Sequence, residues 1–157
     1  MEGIQATTRE EPEPFNVRQG LLLSVTVLTT LAAGTGLDPA FADLGLIEHL
    51  SLLAGRPWTL LAGLPFAAPL LFVLAVHEMG HFLNARRHGI RVTWPYFIPG
   101  PPFISLGTFG AFIRLKGPIP TRGALMEVGA GGPLWGFGAS LAVALLGFGL
   151  GATGYRS

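Results

Sequence analysis

The sequence contains no cysteine and few charged residues. Without cysteine it cannot form a disulfide scaffold, bind a metal through thiolates or use a cysteine nucleophile. Charged residues make up 12% of the 157 positions, against roughly 25% in an average soluble domain. The net charge of +1 gives no electrostatic basis for binding nucleic acid. Half of the residues are hydrophobic, which excludes a wholly disordered chain and favours an integral membrane protein.

Three stretches with little or no charge are long enough to cross a bilayer, which takes about 20 mostly apolar residues. We predict membrane spans at about residues 19–37, 58–85 and 128–151. Residues 1–18 are predicted to form a disordered tail, and residues 19–157 a membrane domain. The expected fold class is a mainly α-helical membrane protein with three transmembrane helices.

Basic residues are unevenly distributed between these spans. Only Arg56 lies between the first and second spans, where residues 45–55 are predicted to form a short amphipathic helix at the outer surface. Six basic residues lie between the second and third spans, namely Arg86, Arg87, Arg91, Arg114, Lys116 and Arg122. Since Lys and Arg collect on the cytoplasmic side, the N-terminus and the loop 86–127 are expected to be cytoplasmic, in a bacterial-type plasma membrane.

The second span ends in His77-Glu78-Met79-Gly80-His81, an H-E-x-x-H motif. Residues i and i+4 share one face of a helix, so both histidines can bind one metal ion, for which zinc is the expected choice. Glu78 lies about 100° round the helix from His77, which suits a general base for metal-bound water. The alternative is a pair of structural histidines with a glutamate partner. Ionisable groups in an apolar span are costly and favour a functional site.

The position of the motif along the span indicates a site within the membrane. At 1.5 Å per residue, His81 and His77 lie about 8 and 14 Å inside the boundary set by Arg86. Hydrolysis at that depth needs water, so the site is expected to line a cavity in the protein.

The motif and the segments that follow it resemble the site-2 protease family of intramembrane zinc metalloproteases. The segments are PYFIPGPP, GTFGAFIRLKGPIPTRGAL and GAGGPLWGF, and the resemblance covers roughly residues 60–150. It implies that His77 and His81 bind Zn²⁺, that Glu78 activates water, and that the substrates are transmembrane helices of other proteins.

The third zinc ligand of that family is absent from this sequence. It is an aspartate in a leucine-aspartate-glycine motif, which does not occur here, so we expect the chain to be the N-terminal part of a longer enzyme, incomplete at its C-terminus. Glu127 is the one carboxylate that could substitute by its predicted position, but it is better explained as an acidic residue in the first turn of a helix. His49 and His88 are expected to be solvated surface residues.

The loop 86–127 is rich in glycine and proline, and residues 101–108 and 109–117 are predicted to be short strands of a hairpin. A protease can hold its substrate extended by pairing it with a strand edge. The expected substrate-binding residues are therefore in the second strand: Phe109, Gly110, Ala111, Phe112 and Ile113. A purely structural hairpin is an equally open alternative. In the third span, Gly132 and Gly136 are expected to pack against the helix that carries the motif.

We therefore predict a zinc-dependent intramembrane endopeptidase that cleaves transmembrane segments of membrane proteins, with attack by metal-bound water that Glu78 activates. The alternative is a catalytically inactive or truncated protein of the same fold that binds membrane segments without cleaving them. A CAAX-type or heat-shock-type membrane protease ranks last, because those families keep their catalytic domain largely on the cytoplasmic side and lack these segments. The expected partners are a membrane-protein substrate and the lipid bilayer, with no nucleic acid and no predicted oligomeric state.

Overall fold

The structure is a computed structural model that describes residues 14–41 and 43–154, the last five as helical backbone only. Most of the expected disordered tail, residues 1–13, lies outside this range. The described residues form four α-helices, one 3-10 helix and two strands. The elements are α1 (Val17–Thr35), α2 (Leu46–Gly55), the 3-10 helix (Pro57–Gly63), α3 (Leu64–Arg87), β1 (Tyr96–Pro99), β2 (Thr108–Phe112) and α4 (Arg122–Gly154).

Three helical segments are long and apolar enough to cross a membrane, which confirms the predicted fold class. They are Val17–Thr35, Pro57–Arg87 and Arg122–Gly149. The short helix predicted before the second span is also present, as α2. The helical layer is held together mainly by the contact of α3 with α4, and α1 packs on both α3 and the 3-10 helix.

Two helices begin earlier than the spans predicted from the uncharged stretches. In both, a polar residue caps the start of the helix. The side chain of Asn16 accepts a hydrogen bond from the backbone N–H of Gln19, and the Gln19 side chain accepts one from the N–H of Asn16. This reciprocal capping box starts α1 at Val17. The hydroxyl of Thr121 accepts a bond from the N–H of Ala124 and starts α4 six residues before position 128.

The hairpin exists, but its first strand is not where we predicted it. The pairing joins Tyr96 to Phe112 and Phe97 to Ala111, whereas residues 100–107 form the loop between the strands. Two adjacent prolines at 101 and 102 explain the difference, because neither can donate a ladder hydrogen bond. Pairing resumes beyond β2 as a single bridge between Val92 and Leu115.

The hairpin lies along α1, so the segment 86–127 is not simply a loop at one end of the helices. The carbonyl of Trp94, before β1, accepts a hydrogen bond from Gln19, near the start of α1. The carbonyl of Gly107, at the hairpin tip, accepts one from Thr29. Those two α1 residues are about 15 Å apart along the helix axis, so the hairpin reaches well into the helical layer.

A small hydrophobic core lies where α3, α4 and the hairpin base meet. Phe82 is fully buried there and stacks on Trp94, with ring centroids 4.9 Å apart. Its other buried members are Ala85, Ile90, Val92 and Val128. Because Phe82 follows the last histidine of the motif directly, this core holds the end of the motif against α4.

The prediction that His49 is solvated is wrong. His49 is 3% exposed, and its Nε2 lies 2.7 Å from the hydroxyl of Thr35. That hydroxyl is also 2.7 Å from the carbonyl of Ala32, and because it has one proton, both bonds form when Nε2–H of His49 is the donor. Its ring also contacts the edges of Phe41 and Phe103. His49 thus ties α2 to the end of α1 and to the hairpin tip.

Candidate metal centre

The two histidines of the motif converge on one point. His77 and His81 lie one turn apart on α3, and their Nε2 atoms are 3.2 Å apart. Two nitrogen ligands of one tetrahedral zinc ion, each at 2.0–2.1 Å, would be about 3.3 Å apart. The spacing therefore fits two imidazole ligands to a single ion.

The tautomer of His81 is set by α4. Its Nδ1 lies 2.6 Å from the backbone carbonyl of Val128. A carbonyl can only accept, so Nδ1 carries the proton and the Nε2 lone pair of the neutral ring is left for a metal. Histidine ligands of metals commonly donate their second N–H in this way, which fixes the ring orientation.

Glycines of α4 provide the space that the two imidazoles occupy, as the sequence predicted. A methyl group at Gly132 would overlap the His81 ring. A methyl group at Gly136 would lie 2.9 Å from Nδ1 of His77. Both glycines are buried. Their spacing of four residues matches that of the histidines, so each imidazole rests against one glycine.

Glu78 is buried and opens into a cavity shared with the hairpin. Glu78 is 5% exposed, and such deep burial is uncommon for a residue with a carboxylate. The cavity has a volume of about 330 Å³ and is lined by Glu78, His81, Ala111, Phe112, Ile113, Leu115 and Val128. The structure thus brings the predicted general base, one predicted ligand and three of the five predicted substrate-binding residues around one space.

The other two predicted substrate-binding residues lie outside the lining of that cavity. Phe109 is the extra residue where the register shifts between the pairs Ile98–Gly110 and Pro99–Thr108. Its side chain is 67% exposed. Gly110 has a positive φ of 111° at the same irregularity, a conformation that glycine adopts without strain. Both residues shape the bend of β2 rather than the wall of the cavity.

Glu127 does not face the histidine pair. Its carboxylate lies 2.8 Å from Nε2 of His88, which is only partly exposed. It is also not in the first turn of a helix as predicted, because α4 starts at Arg122. Across the described part of the chain, no three His, Cys, Asp or Glu side chains are placed to hold one metal ion. The described residues therefore supply two ligands.

Two residues near the motif were not singled out from the sequence. Gly80 packs against the backbone of Gly131, where a side chain would overlap the carbonyl. Asn84 donates from Nδ2 to the carbonyl of Glu127 at 3.1 Å. The available signals were a glycine within the motif and an amide in an apolar run four residues after that glycine, which puts both on one face of the helix. Together they set the register of α3 on α4.

Comparison with known proteins gives a family and several longer relatives. Residues 65–154 match the model of peptidase family M50. The chain is 31% identical over 161 aligned positions to the probable zinc metalloprotease EGY1, chloroplastic, of Arabidopsis thaliana, which covers 94% of this chain and 28% of the relative. It is 42% identical over 85 residues to the probable zinc metalloprotease EGY2, chloroplastic, of the same organism. That alignment covers 54% of this chain and 15% of the relative.

A third relative, the probable zinc metalloprotease EGY2, chloroplastic, of Oryza sativa subsp. indica, is 41% identical over 76 residues, covering 48% of this chain and 13% of the relative. The chain thus spans less than a third of the length of these relatives. No solved structure gives a match. The family match covers more than half of the chain and includes the histidine pair, Glu78 and the glycines that hold them. The chain therefore belongs to peptidase family M50, the site-2 protease family.

Proposed function

We propose that this chain carries the catalytic motif of a zinc-dependent intramembrane endopeptidase. One observation carries the proposal: the Nε2 atoms of His77 and His81 lie 3.2 Å apart, beside the buried Glu78, on a helix long enough to cross a membrane. The relatives are named as probable zinc metalloproteases, and the donor geometry supports zinc for this chain as well.

His77 and His81 would hold the zinc ion through Nε2. When bound, the ion acts as a Lewis acid that polarises the peptide carbonyl and makes water nucleophilic near neutral pH. Zinc hydrolases commonly use three protein ligands, so one further ligand is needed besides the two described here. The family resemblance implies an aspartate for it, and Glu127 is a poor candidate because its carboxylate contacts His88.

Glu78 would accept the proton of the attacking water and pass it to the departing amine. Its position next to His77 in the chain and in the wall of the cavity fits a group that faces the reacting atoms without binding the metal. Because Glu78 is buried, few solvent molecules compete with the attacking water for hydrogen bonds to its carboxylate. The bond from Val128 keeps His81 in the orientation that the reaction needs.

The substrate would be a transmembrane segment held in extended form along β2. The edge of β2 away from β1 has no strand partner among the described elements. Ala111, Phe112 and Ile113 of this segment share the cavity with Glu78 and His81. An added strand there would have its backbone bonded by β2 and its peptide carbonyl next to the histidine pair. Gly110 and Phe109 would set the bend at the entrance.

The protein would work as an integral membrane protein with a membrane-protein substrate. The distribution of its basic residues supports a topology with the N-terminus and residues 86–127 on one side and Arg56 on the other. We assign the first side as cytoplasmic and the membrane as a bacterial-type plasma membrane. The relatives are named chloroplastic, so the equivalent membrane of a plastid is the alternative location.

The test is to express the complete reading frame, purify the protein and measure bound zinc and cleavage of membrane-spanning peptides. We expect about one zinc per active protein and cleavage within the spanning segment, with both lost in His81→Ala. Binding of the peptides without cleavage, by a protein free of zinc, would instead support the non-catalytic alternative.

A further inference from the structure

Helix α1 does more than cross the membrane, because two of its polar side chains hold the hairpin. We propose that Gln19 and Thr29 are positioning residues that fasten the hairpin to α1 and so keep β2 in register beside Glu78 and His81. This inference rests on the proposed function for its activity measurement, but its structural part stands without it.

The attachment at the hairpin base is made by Gln19. This residue is 2% exposed, and Nε2 of its side chain donates to the carbonyl of Trp94 at 2.8 Å. Its Oε1 accepts from the backbone N–H of Asn16 at 2.9 Å. A buried amide that satisfies both ends of its side chain in this way joins the start of α1 to the segment leading into β1.

The attachment at the hairpin tip is made by Thr29. Its hydroxyl lies 2.6 Å from the carbonyl of Gly107, closer than to the carbonyls of its own helix. The same carbonyl accepts the N–H of Gly100, the bond that closes the loop between the strands. Gly107 has φ of +80°, and a side chain there would overlap the backbone of Thr29 and Thr30. Helix α1 therefore contacts the hairpin tip at Gly107 both through its backbone and through the hydroxyl of Thr29.

The two attachments affect the cavity through the strand pairing. β1 packs on α1 and pairs with β2, and β2 carries Ala111 and Phe112 into the cavity wall opposite Glu78 and His81. Moving the hairpin along α1 therefore moves that wall with it. A two-stranded ribbon is only marginally stable alone. The position of this hairpin therefore depends on the contacts that hold β1 to α1.

Neighbouring threonines on α1 provide internal controls. Thr30 is fully buried, but its hydroxyl bonds only to the carbonyl of Thr26 in the same helix. A hydroxyl-to-methyl change at position 30 thus removes a buried hydroxyl without removing a hydrogen bond to the hairpin. The same change at position 29 removes the bond to Gly107.

The experiment compares Thr29→Val, Thr30→Val and Thr29→Ser in the protein made from its complete reading frame. We expect Thr29→Val to lower kcat/KM by roughly 3- to 10-fold, the effect of one hydrogen bond, mainly through KM and with unchanged zinc content. Thr30→Val should match the unmodified protein, and Thr29→Ser should restore most of the activity because it keeps the hydroxyl. Gln19→Met should lower kcat/KM in the same way as Thr29→Val.

A second readout measures the hairpin position without using activity. This sequence has no cysteine, so spin labels can be attached to cysteines introduced at two exposed positions, Leu28 on α1 and Ile104 at the hairpin tip. The distance distribution between the labels should be narrow in the unmodified protein and in Thr30→Val, and broad in Thr29→Val.

The inference would be overturned if Thr29→Val and Thr30→Val had the same kinetics and the same label distances as each other. This holds whether both variants match the unmodified protein or both lose activity to the same extent. If the unmodified protein binds zinc but cleaves no membrane-spanning peptide, the proposed function fails. The label distances then still decide whether Thr29 holds the hairpin.

Discussion

His81 uses both nitrogens of its ring, and each has a different neighbour. Nδ1 is bonded to the Val128 carbonyl and Nε2 faces His77. Gly132 leaves only enough room for the ring between these contacts. The orientation of this imidazole therefore depends on a residue 51 positions later in the chain that bears no functional group.

Gly132→Ala is expected to weaken zinc binding and cleavage by about 10- to 100-fold, the usual effect of disturbing the surroundings of a metal ligand. The added methyl group has to displace the His81 ring. The matched control is Gly138→Ala on the same helix, where a methyl group meets no atom within 4 Å. Zinc titration and cleavage assays measure both variants, and equal behaviour of the two would contradict the assigned role of Gly132.

The two histidines outside the motif should differ in what they contribute to stability. His49 is buried between Thr35 and two aromatic rings, so His49→Ala should lower the free energy of unfolding by about 1–3 kcal/mol. His88 is bonded to Glu127 at the surface, so His88→Ala should cost less than about 1 kcal/mol. Denaturant unfolding of the purified protein measures both, and a larger loss for His88→Ala would show that the burial assignment is wrong.

The residues of the motif could be predicted from the sequence because their geometry lies within one helix. The spacing of His77 and His81 alone puts both rings on one face. The partners of His49, His88 and Glu127 depend on which distant segments meet, and hydropathy carries no information on that. The site could therefore be located from the sequence. The predictions that His49 is solvated and that Glu127 lies in the first turn of its helix were wrong.

At the scale of elements, the hairpin is the part of the fold that connects α1 to the candidate metal centre. Its two strands were expected because the loop is too rich in glycine and proline for a helix. The first strand was predicted too late in the chain, in 101–108, where two prolines lack the N–H groups that strand pairing needs. Its packing along α1 rests on side-chain bonds from Gln19 and Thr29, which no local pattern predicts.

Ala111→Pro in β2 is expected to lower kcat/KM by at least about 10-fold, since proline removes a backbone donor and disfavours pairing with an added strand. The control Ala111→Ser changes the side chain and keeps the N–H. Zinc content should be equal in both variants, because residue 111 lines the cavity but is not one of the two proposed metal ligands. Unchanged cleavage by Ala111→Pro with intact zinc content would refute the strand-edge role.

At the scale of the whole molecule, charge and hydropathy agree on a protein with three spans. Six of the eight exposed basic side chains of the described residues lie from the last turn of α3 to the first residue of α4, while Arg56 is exposed at the other end of α3, before the 3-10 helix. The candidate metal centre lies on α3 nearer the basic end. In the topology proposed above, the site therefore lies closer to one surface of the membrane than to the other.

Single cysteines replacing the exposed Arg56, Arg87 and Arg114 should report that arrangement. A membrane-impermeant maleimide added to sealed vesicles of known orientation should label position 56 from one side and positions 87 and 114 from the other. Labelling after the membrane is opened with detergent is the control for accessibility. Labelling of positions 56 and 87 from the same side would contradict the topology proposed from the basic residues.

The most direct test of the central claim is Glu78→Gln, measured in the protein from the complete reading frame for both zinc content and peptide cleavage. Glutamine keeps the size of the side chain but removes the carboxylate that accepts the proton. We predict that Glu78→Gln retains zinc at the level of the unmodified protein and loses cleavage by at least about 100-fold, within the range for a general base. Full cleavage by this variant would contradict the assignment of Glu78 as the catalytic base at the centre formed by His77 and His81.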